Sequence, residues 1–219
     1  MARRIVTGHN SSGKSVILDQ FAPIKTAVFR HIRDFEVSTV WTTPAAARIA
    51  SPVKDPVADL SSVLPEVGGT VLLKVTFPPD SAMAEVTDWA AAGAEQAANL
   101  PGLAEKFEPD NPGMHTTDSV DYGILIEGEL WLEVDGGETR QIELGDIVIQ
   151  NGTRHAWRNR SQLRVSASCA DVSARLNDTN AACAWPRSCA DLPVPRCTNR
   201  VISAGSTYAL GVVEKDEPV

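Results

Sequence analysis

The residues best suited to chemistry in this chain lie in one run, residues 113 to 159. This run contains His115, Asp121 and His155. Because an imidazole titrates near neutral pH, either histidine could act as a general acid or base, and the Asp121 carboxylate could orient it. A histidine can also be a hydrogen-bonding partner inside a fold, so a purely structural role stays open as an alternative.

The same run predicts short strands joined by tight turns, which would have to position these side chains. From residue 130 to residue 134, Leu and Val alternate with Trp and Glu, the period of a half-buried strand. Turn signals follow at Asp135–Gly137, Leu144–Asp146 and Asn151–Gly152. Short strands with regular turn signals predict an all-β protein, either an antiparallel sandwich or a barrel.

The spacing in this run resembles the second motif of the cupin family, G-x5-P-x-G-x2-H-x3-N. Gly145, Gly152, His155 and Asn159 match it. Gln150 stands where the family has proline, and the gap after Gly145 is one residue short. The resemblance implies a cupin-type antiparallel β-barrel, or jelly roll.

The first cupin motif, G-x5-H-x-H-x3 or 4-E-x6-G, is matched more loosely. His115 matches a histidine, Thr117 stands at the second histidine and Asp121 stands at the glutamate. Residues 121–128 keep the form that the family shows after the acidic residue. The two motifs cover about a fifth of the chain, but their order and spacing are not expected to arise by chance.

The resemblance implies a divalent metal, because cupins usually hold Fe, Mn, Ni or Zn with three histidines and one acid. The ligands would be His115, Asp121 and His155, a set also found in non-haem iron sites. Thr117 is a poor ligand, and the Asp121 side chain is one methylene shorter than glutamate. A metal would polarise an oxygen or activate water or dioxygen. In the metal-free alternative, the same three residues perform acid–base catalysis.

Side chains alternate between the inside and the outside of a small barrel, and this predicts a pocket around the candidate catalytic residues. The resemblance implies that the face with His115 and His155 points inward. Counting by two along the strands adds the predicted substrate-binding residues, which are Thr117, Gly123, Leu125 and Trp157. Arg154 could bind a substrate carboxylate at the rim, with a solvated arginine as the alternative.

The resulting functional hypothesis is a metal-dependent enzyme that acts on a carbonyl compound or organic acid in catabolism or secondary metabolism. Oxygenase, decarboxylase, isomerase and lyase chemistry are all compatible with the fold. The alternatives are a metal-free isomerase, cyclase or lyase, and a small-molecule binding protein without turnover.

Residues 1–168 are predicted to form the barrel, with an N-terminal strand extension and a helical insert at about residues 82–107. The insert is rich in Ala, Glu and Gln, and it could cap the barrel mouth, pack outside the barrel or form a dimer contact. Residues 169–219 are predicted to be an irregular extension. This extension contains all four cysteines, without a C-x2-C pair, and we expect free thiols rather than zinc ligands.

Residues 8–15, GHNSSGKS, fit the phosphate-binding P-loop pattern, but strand-like residues and an early proline follow instead of a helix. A β-hairpin is therefore predicted there, and no nucleotide cofactor is expected.

The net charge of −8 argues against nucleic acid and anionic membranes as partners. No apolar stretch approaches the roughly 20 residues needed to cross a bilayer. Because no apolar region follows Arg3 and Arg4, we expect a cytoplasmic protein without a signal peptide. The resemblance also implies a homodimer.

Overall fold

The computed structural model describes residues 3–18, 24–49 and 52–173. In these ranges the strands are β1 Val6–His9, β2 Ser15–Leu18, β3 Thr26–Val28, β4 Glu36–Thr43, β5 Thr70–Phe77, β6 Ser119–Glu127, β7 Leu130–Glu133, β8 Thr139–Ile142, β9 Ile147–Asn151, β10 Ala156–Arg158 and β11 Val165–Ser173. The helices are α1 Asp80–Ala84 and α2 Trp89–Asn99, followed by a 3-10 turn at Ala104–Lys106. The predicted all-β class is confirmed.

The strands form two main antiparallel sheets. The larger sheet has the order β3-β4-β5-β11-β6-β9, and the smaller sheet has the order β10-β7-β8. Neighbours in the larger sheet are often far apart in sequence, since β11 lies between β5 and β6. This is the predicted jelly-roll type of barrel, in which the middle of the large sheet is completed by the last described strand.

Strand β6 shows why the sequence folds in this way. Its alternate residues Asp121, Gly123 and Leu125 are buried, while Tyr122 and Ile124 between them are exposed. The predicted period of two is therefore confirmed, and it fixes which face of β6 points into the barrel.

The hydrophobic core has two parts. One cluster joins the two sheets and contains Leu125 of β6, Leu130 of β7 and Val165 of β11. The other cluster joins the large sheet to the helical insert, through residues such as Leu73 of β5 and Leu100 at the end of α2. The functional site described below lies where these two clusters meet.

The helical insert is fastened to the loop after β3 by one acidic residue. Both Glu95 carboxylate oxygens accept hydrogen bonds from the Arg30 backbone N–H, and one also accepts from the His31 backbone N–H. The Nδ1 atom of His31 lies 2.8 Å from the same carboxylate. The insert is thereby held on the barrel rather than extending from it.

Two boundaries differ from the sequence prediction. The helical insert predicted at about residues 82–107 is divided into separate helices, because α1 ends at Ala84 and Asp88 caps α2 by accepting a hydrogen bond from the Ala91 N–H. Strand β11 continues to Ser173, beyond the predicted barrel end at residue 168. The remainder of the predicted irregular extension lies outside the described residues.

The P-loop-like segment is the predicted hairpin. Strands β1 and β2 pair antiparallel, with His9 opposite Ser15. The Asn10 side chain closes the loop by accepting hydrogen bonds from the backbone N–H groups of Ser12 and Lys14. The loop residues therefore stabilise a turn between two strands, as the composition of the segment indicates.

The outer face of β6 and β9 is apolar and exposed. Ile124 and Tyr122 stand opposite Ile147 and Ile149 in the register, and all four side chains are at least 40% exposed. The homodimer implied by the resemblance stays a prediction. Among the described residues, neither α1 nor α2 has the length and apolarity that crossing a membrane requires.

Candidate functional site

His115 and His155 are brought together by the backbone. The His115 N–H donates to the His155 carbonyl at 3.0 Å, and the His155 N–H donates to the His115 carbonyl at 2.9 Å. This pair of hydrogen bonds forms an isolated antiparallel bridge, which places the two rings side by side with centroids 4.3 Å apart. The two histidines predicted to share a site therefore do so.

Both imidazoles are oriented by the same local device. The Nδ1 atom of His115 lies 3.1 Å from the Gly113 carbonyl, and the Nδ1 atom of His155 lies 2.8 Å from the Thr153 carbonyl. Since a carbonyl only accepts, each Nδ1 must carry the proton and donate. Each neutral ring then has its lone pair on Nε2.

Burial keeps both rings neutral. It lowers the pKa of His115 to about 4, helped by repulsion from His155 and opposed by the Gly113 carbonyl and Glu108. Burial also lowers the pKa of His155, opposed by the Thr153 carbonyl and the Asp121 charge. At neutral pH the site therefore presents two unprotonated Nε2 atoms.

The acidic side of the site is built from β6 and β9. Asp121 on β6 stands directly opposite Gln150 on β9, and both side chains are buried. The Thr117 hydroxyl donates to Asp121 Oδ2 at 3.3 Å. Within the described part of the chain, Asp121 Oδ1 and Gln150 Nε2 have no hydrogen-bond partner. The site therefore contains one buried acceptor and one buried donor that are both unused.

These groups line one end of a cavity of about 150 Å³. The polar end is formed by His115, Thr117, Asp121, Gln150 and His155. The remaining wall also contains Asp80, Gln96 and Arg158. Its apolar residues are Ile32, Phe35, Val37, Leu73, Val75, Phe77, Met83, Leu100, Leu103, Phe107 and Trp157. An apolar chamber with a few convergent polar groups is the usual composition of a small-molecule site.

The helical insert forms part of the cavity wall. Met83 of α1, Gln96 of α2 and the following Leu103 line it, and so does Phe107, whose ring centroid lies 4.9 Å from that of His115. The insert therefore contributes to the cavity wall, as the predicted position over the barrel mouth requires, and a dimer contact through the insert stays a prediction.

The predicted substrate-binding residues divide into two groups. Thr117 and Trp157 line the cavity. Gly123 instead lies behind the Trp157 ring, where a Cβ atom would approach it to 3.3 Å. Leu125 belongs to the core between the sheets. Neither Gly123 nor Leu125 is among the described residues that line the cavity.

Arg154 does not reach the cavity either. Its guanidinium donates to the two Glu108 carboxylate oxygens at 2.6 and 2.7 Å, and to Asp135 at 2.9 Å. The hydrogen bonds from Arg154 hold the pKa of Glu108 below its ordinary value. The structure thus gives Arg154 the role of fixing the segment before His115, rather than the rim position that the sequence suggested.

Sequence reasoning missed Gln150 and the apolar half of the cavity. Gln150 was visible only as a departure from the proline of the family motif. Its role depends on the register that sets it opposite Asp121. The apolar wall comes from residues such as Phe35 and Val75, which are distant in sequence from the motifs, so no local pattern connects them to the site.

The resemblance implies a metal centre formed by His115, Asp121 and His155. Among residues 3–18, 24–49 and 52–173, no group of three or more His, Cys, Asp or Glu side chains is placed to hold a metal ion. The two imidazole rings lie side by side, and the Asp121 carboxylate accepts a hydrogen bond from Thr117 through one of its oxygens. The metal set His115, Asp121 and His155 therefore stays a prediction.

Short segments of the chain are similar to fungal biosynthetic proteins. Over 51 residues it is 55% identical to Oryzines biosynthesis cluster protein J of Aspergillus oryzae, covering 23% of this chain and 28% of that protein. Over 48 residues it is 52% identical to Phomopsin biosynthesis cluster protein C' of Diaporthe leptostromiformis, covering 22% and 25%.

A third relative is named as a cupin-domain protein. Over 46 residues the chain is 48% identical to the cupin-domain-containing oxidoreductase virC of Hypocrea virens, covering 21% of this chain and 24% of that protein. The chain thus spans about a quarter of the length of these curated relatives. No protein-family model matches the chain.

Solved structures resemble the chain more weakly. An RmlC-like cupin family protein with a double-stranded β-helix fold, from Methanocaldococcus jannaschii, is 13% identical with a TM-score of 0.31, covering 48% of this chain and 70% of that one. Ectoine synthase from P. lautus is 18% identical with a TM-score of 0.29, covering 48% and 55%. Because both TM-scores are below 0.5, we infer nothing further from either structure.

Proposed function

Since this chain is a member of the cupin superfamily, its chemistry is expected inside the barrel, and we propose that it is an enzyme that moves a proton on a small, largely apolar organic molecule. The observation that carries this proposal is the pair of neutral imidazoles, His115 and His155, at the polar end of a mainly apolar cavity. The substrate class is a carbonyl compound or organic acid, and the reaction is of the isomerase, cyclase or lyase type.

The size of the cavity limits the substrate. A cavity of about 150 Å³ has the volume of engineered apolar cavities that bind benzene. The reacting part of the substrate is therefore about the size of one six-membered ring. The aromatic side chains of Phe35, Phe77, Phe107 and Trp157 fit a flat apolar body.

The histidine Nε2 atoms would act as the base. When one accepts a proton from a C–H next to a carbonyl, the electron pair of that bond moves to the carbonyl oxygen and forms an enolate. Burial makes the neutral His115 ring a weaker base than a free imidazole and its imidazolium a stronger acid, so the ring returns the proton readily, to the same atom or to another one. The neighbouring His155 ring, 4.3 Å away between centroids, offers a second position for the proton.

The relatives support a role in secondary metabolism. Two of them are named as proteins of the oryzine and phomopsin biosynthesis clusters, and a third is named as an oxidoreductase. The shared segments cover about a quarter of each relative, so those names support a biosynthetic setting for this chain and do not fix its reaction.

The proposed steps use no metal. Among the described residues, no group of three or more His, Cys, Asp or Glu side chains is placed to hold one, and the metal that the resemblance implies stays a prediction. Elemental analysis of the purified protein by mass spectrometry tests that prediction directly. A stoichiometric metal that is lost in both His115→Asn and His155→Asn would replace the metal-free proposal.

Proton exchange tests the function without knowledge of the natural substrate. The protein is incubated in D2O with a panel of ring-sized ketones and keto acids, and deuterium incorporation next to the carbonyl is followed by NMR. We expect exchange with at least one compound, and a loss of more than tenfold in His115→Asn or His155→Asn. The matched control is His9→Asn, which removes a histidine from the exposed hairpin and should keep the wild-type rate.

Two results would contradict the proposal. Exchange that is equally fast in the wild type and both site variants would show that the imidazoles are not the base. Tight binding of panel compounds without any exchange would identify a binding module instead of an enzyme.

A further inference from the structure

We infer that Asp121 and Gln150 form a subsite for a hydroxyl group of the substrate. This inference deepens the proposed function and rests on it, because it assigns the part of the ligand that enters the polar end of the cavity. Gln150 would be a specificity-determining residue, and the hydroxyl would donate to the Asp121 carboxylate and accept from the Gln150 amide.

The two side chains are placed as a pair by the sheet. Asp121 and Gln150 are directly opposite in the register of β6 and β9, so they point to the same face. Both line the cavity, and their residues are only 6% and 4% exposed. They therefore offer a fixed position rather than a mobile surface contact.

Each member of the pair lacks one hydrogen bond. In the part of the chain that the structure describes, Asp121 Oδ1 and Gln150 Nε2 have no partner, although Asp121 Oδ2 accepts from Thr117. Buried polar groups are nearly always paired in native proteins, because leaving them unpaired destabilises the fold. Two such atoms on neighbouring strands of a cavity wall indicate a missing partner.

The chemistry of the two atoms selects the partner. A ligand carbonyl could accept from Gln150 but would leave the Asp121 oxygen unpaired. A ligand carboxylate would be repelled by the Asp121 charge. A hydroxyl has one O–H donor and two acceptor lone pairs, so it can satisfy both atoms at once. The terminal torsions of Asp and Gln are broad, so each side chain can rotate to present its unpaired atom to a ligand in the cavity.

The subsite also lies beside the proposed base. Asp121, Gln150 and His155 line the same cavity, together with Thr117, which donates a hydrogen bond to Asp121. A hydroxyl anchored between Asp121 and Gln150 would hold the adjoining carbon atoms of the substrate at the imidazole end of the cavity. The preferred substrates are therefore enols, phenols or hydroxy-carbonyl compounds.

Phenol and toluene are suitable probes, because they differ only by a hydroxyl in place of a methyl group and match the cavity in size. Their dissociation constants are measured by NMR titration for the wild type, Gln150→Met and Gln150→Leu. In both variants the dissociation constant of phenol should rise, because the hydroxyl loses its hydrogen bond to the Gln150 amide and its fixed position at Asp121. The ratio of the toluene dissociation constant to the phenol dissociation constant should therefore fall about tenfold.

Ser119→Ala is the matched control. Ser119 also lies on the buried face of β6 and has an unpaired hydroxyl among the described residues, but it does not line the cavity. Its removal should leave the ratio unchanged. Toluene binding by each variant reports that the cavity is intact.

The outcomes separate the subsite from the proposed function. If toluene binds all variants and the ratio stays constant, the hydroxyl subsite is wrong and the proposed function stands. If neither probe binds the wild-type protein, the cavity is not a ligand site, and both proposals are overturned.

Discussion

The low pKa of His115 makes a quantitative prediction about stability. Folding lowers this pKa from an ordinary value of 6.5 to about 4, so between these values the unfolded chain binds a proton that the folded protein does not. Stability must therefore fall as the pH decreases through this window. Between pH 7 and pH 5, the free energy of unfolding should decrease by about 2 kcal/mol because of this histidine alone.

The partial exposure of the His115 ring to solvent makes this figure an upper value. His115→Asn removes the titrating group, while its side-chain amide can still donate to the Gly113 carbonyl. Urea unfolding at pH 7 and pH 5, in buffer with a chelator, should show that the wild type loses about 2 kcal/mol more than the variant over this interval. Equal losses in both proteins would refute the assignment of a buried, neutral His115.

Two substitutions outside the cavity test the fold itself. Asn159→Ala should lower the free energy of unfolding by about 3 kcal/mol, because the buried Asn159 side chain donates to the carbonyls of Phe77 and Leu163. A loss below about 1 kcal/mol in urea unfolding, roughly the value of one hydrogen bond, would contradict this role. Gly128→Ala should destabilise by at least about 2 kcal/mol, since φ is +78° and a Cβ atom would lie 2.7 Å from Val165 Cγ2. Gly137→Ala has a similar φ but open space, so its thermal midpoint should fall less.

Local patterns were sufficient to predict the part of the fold that contains the motifs. Alternation in β6 predicted that Asp121, Gly123 and Leu125 share one face, and the resemblance implied that this face points inward. The turn at Asp135–Gly137 lies between β7 and β8 as predicted. The motif spacing also predicted the meeting of His115 and His155. These features depend on neighbours in sequence or on one family pattern.

The errors arose where contacts between distant residues decide the structure. Asp121 and Gln150 face each other only because of the register between β6 and β9. The apolar wall combines Phe35 with residues of β5 and of the helical insert, which are far apart in the sequence. The ion pair of Arg154 with Glu108, 46 residues away, could not be read from the sequence, because no local pattern connects the two residues. The break before α2 was readable, since Asp88 is a good helix cap.

At His115 and His155 the backbone holds two segments of the fold together, while the side chains line the cavity. The segments before β6 and β10 are joined there through backbone N–H and carbonyl groups, which every residue except proline provides. The backbone bridge therefore does not depend on imidazole at either position. Positions 115 and 155 are accordingly suited to redesign, because another side chain can be placed there without removing the two backbone hydrogen bonds.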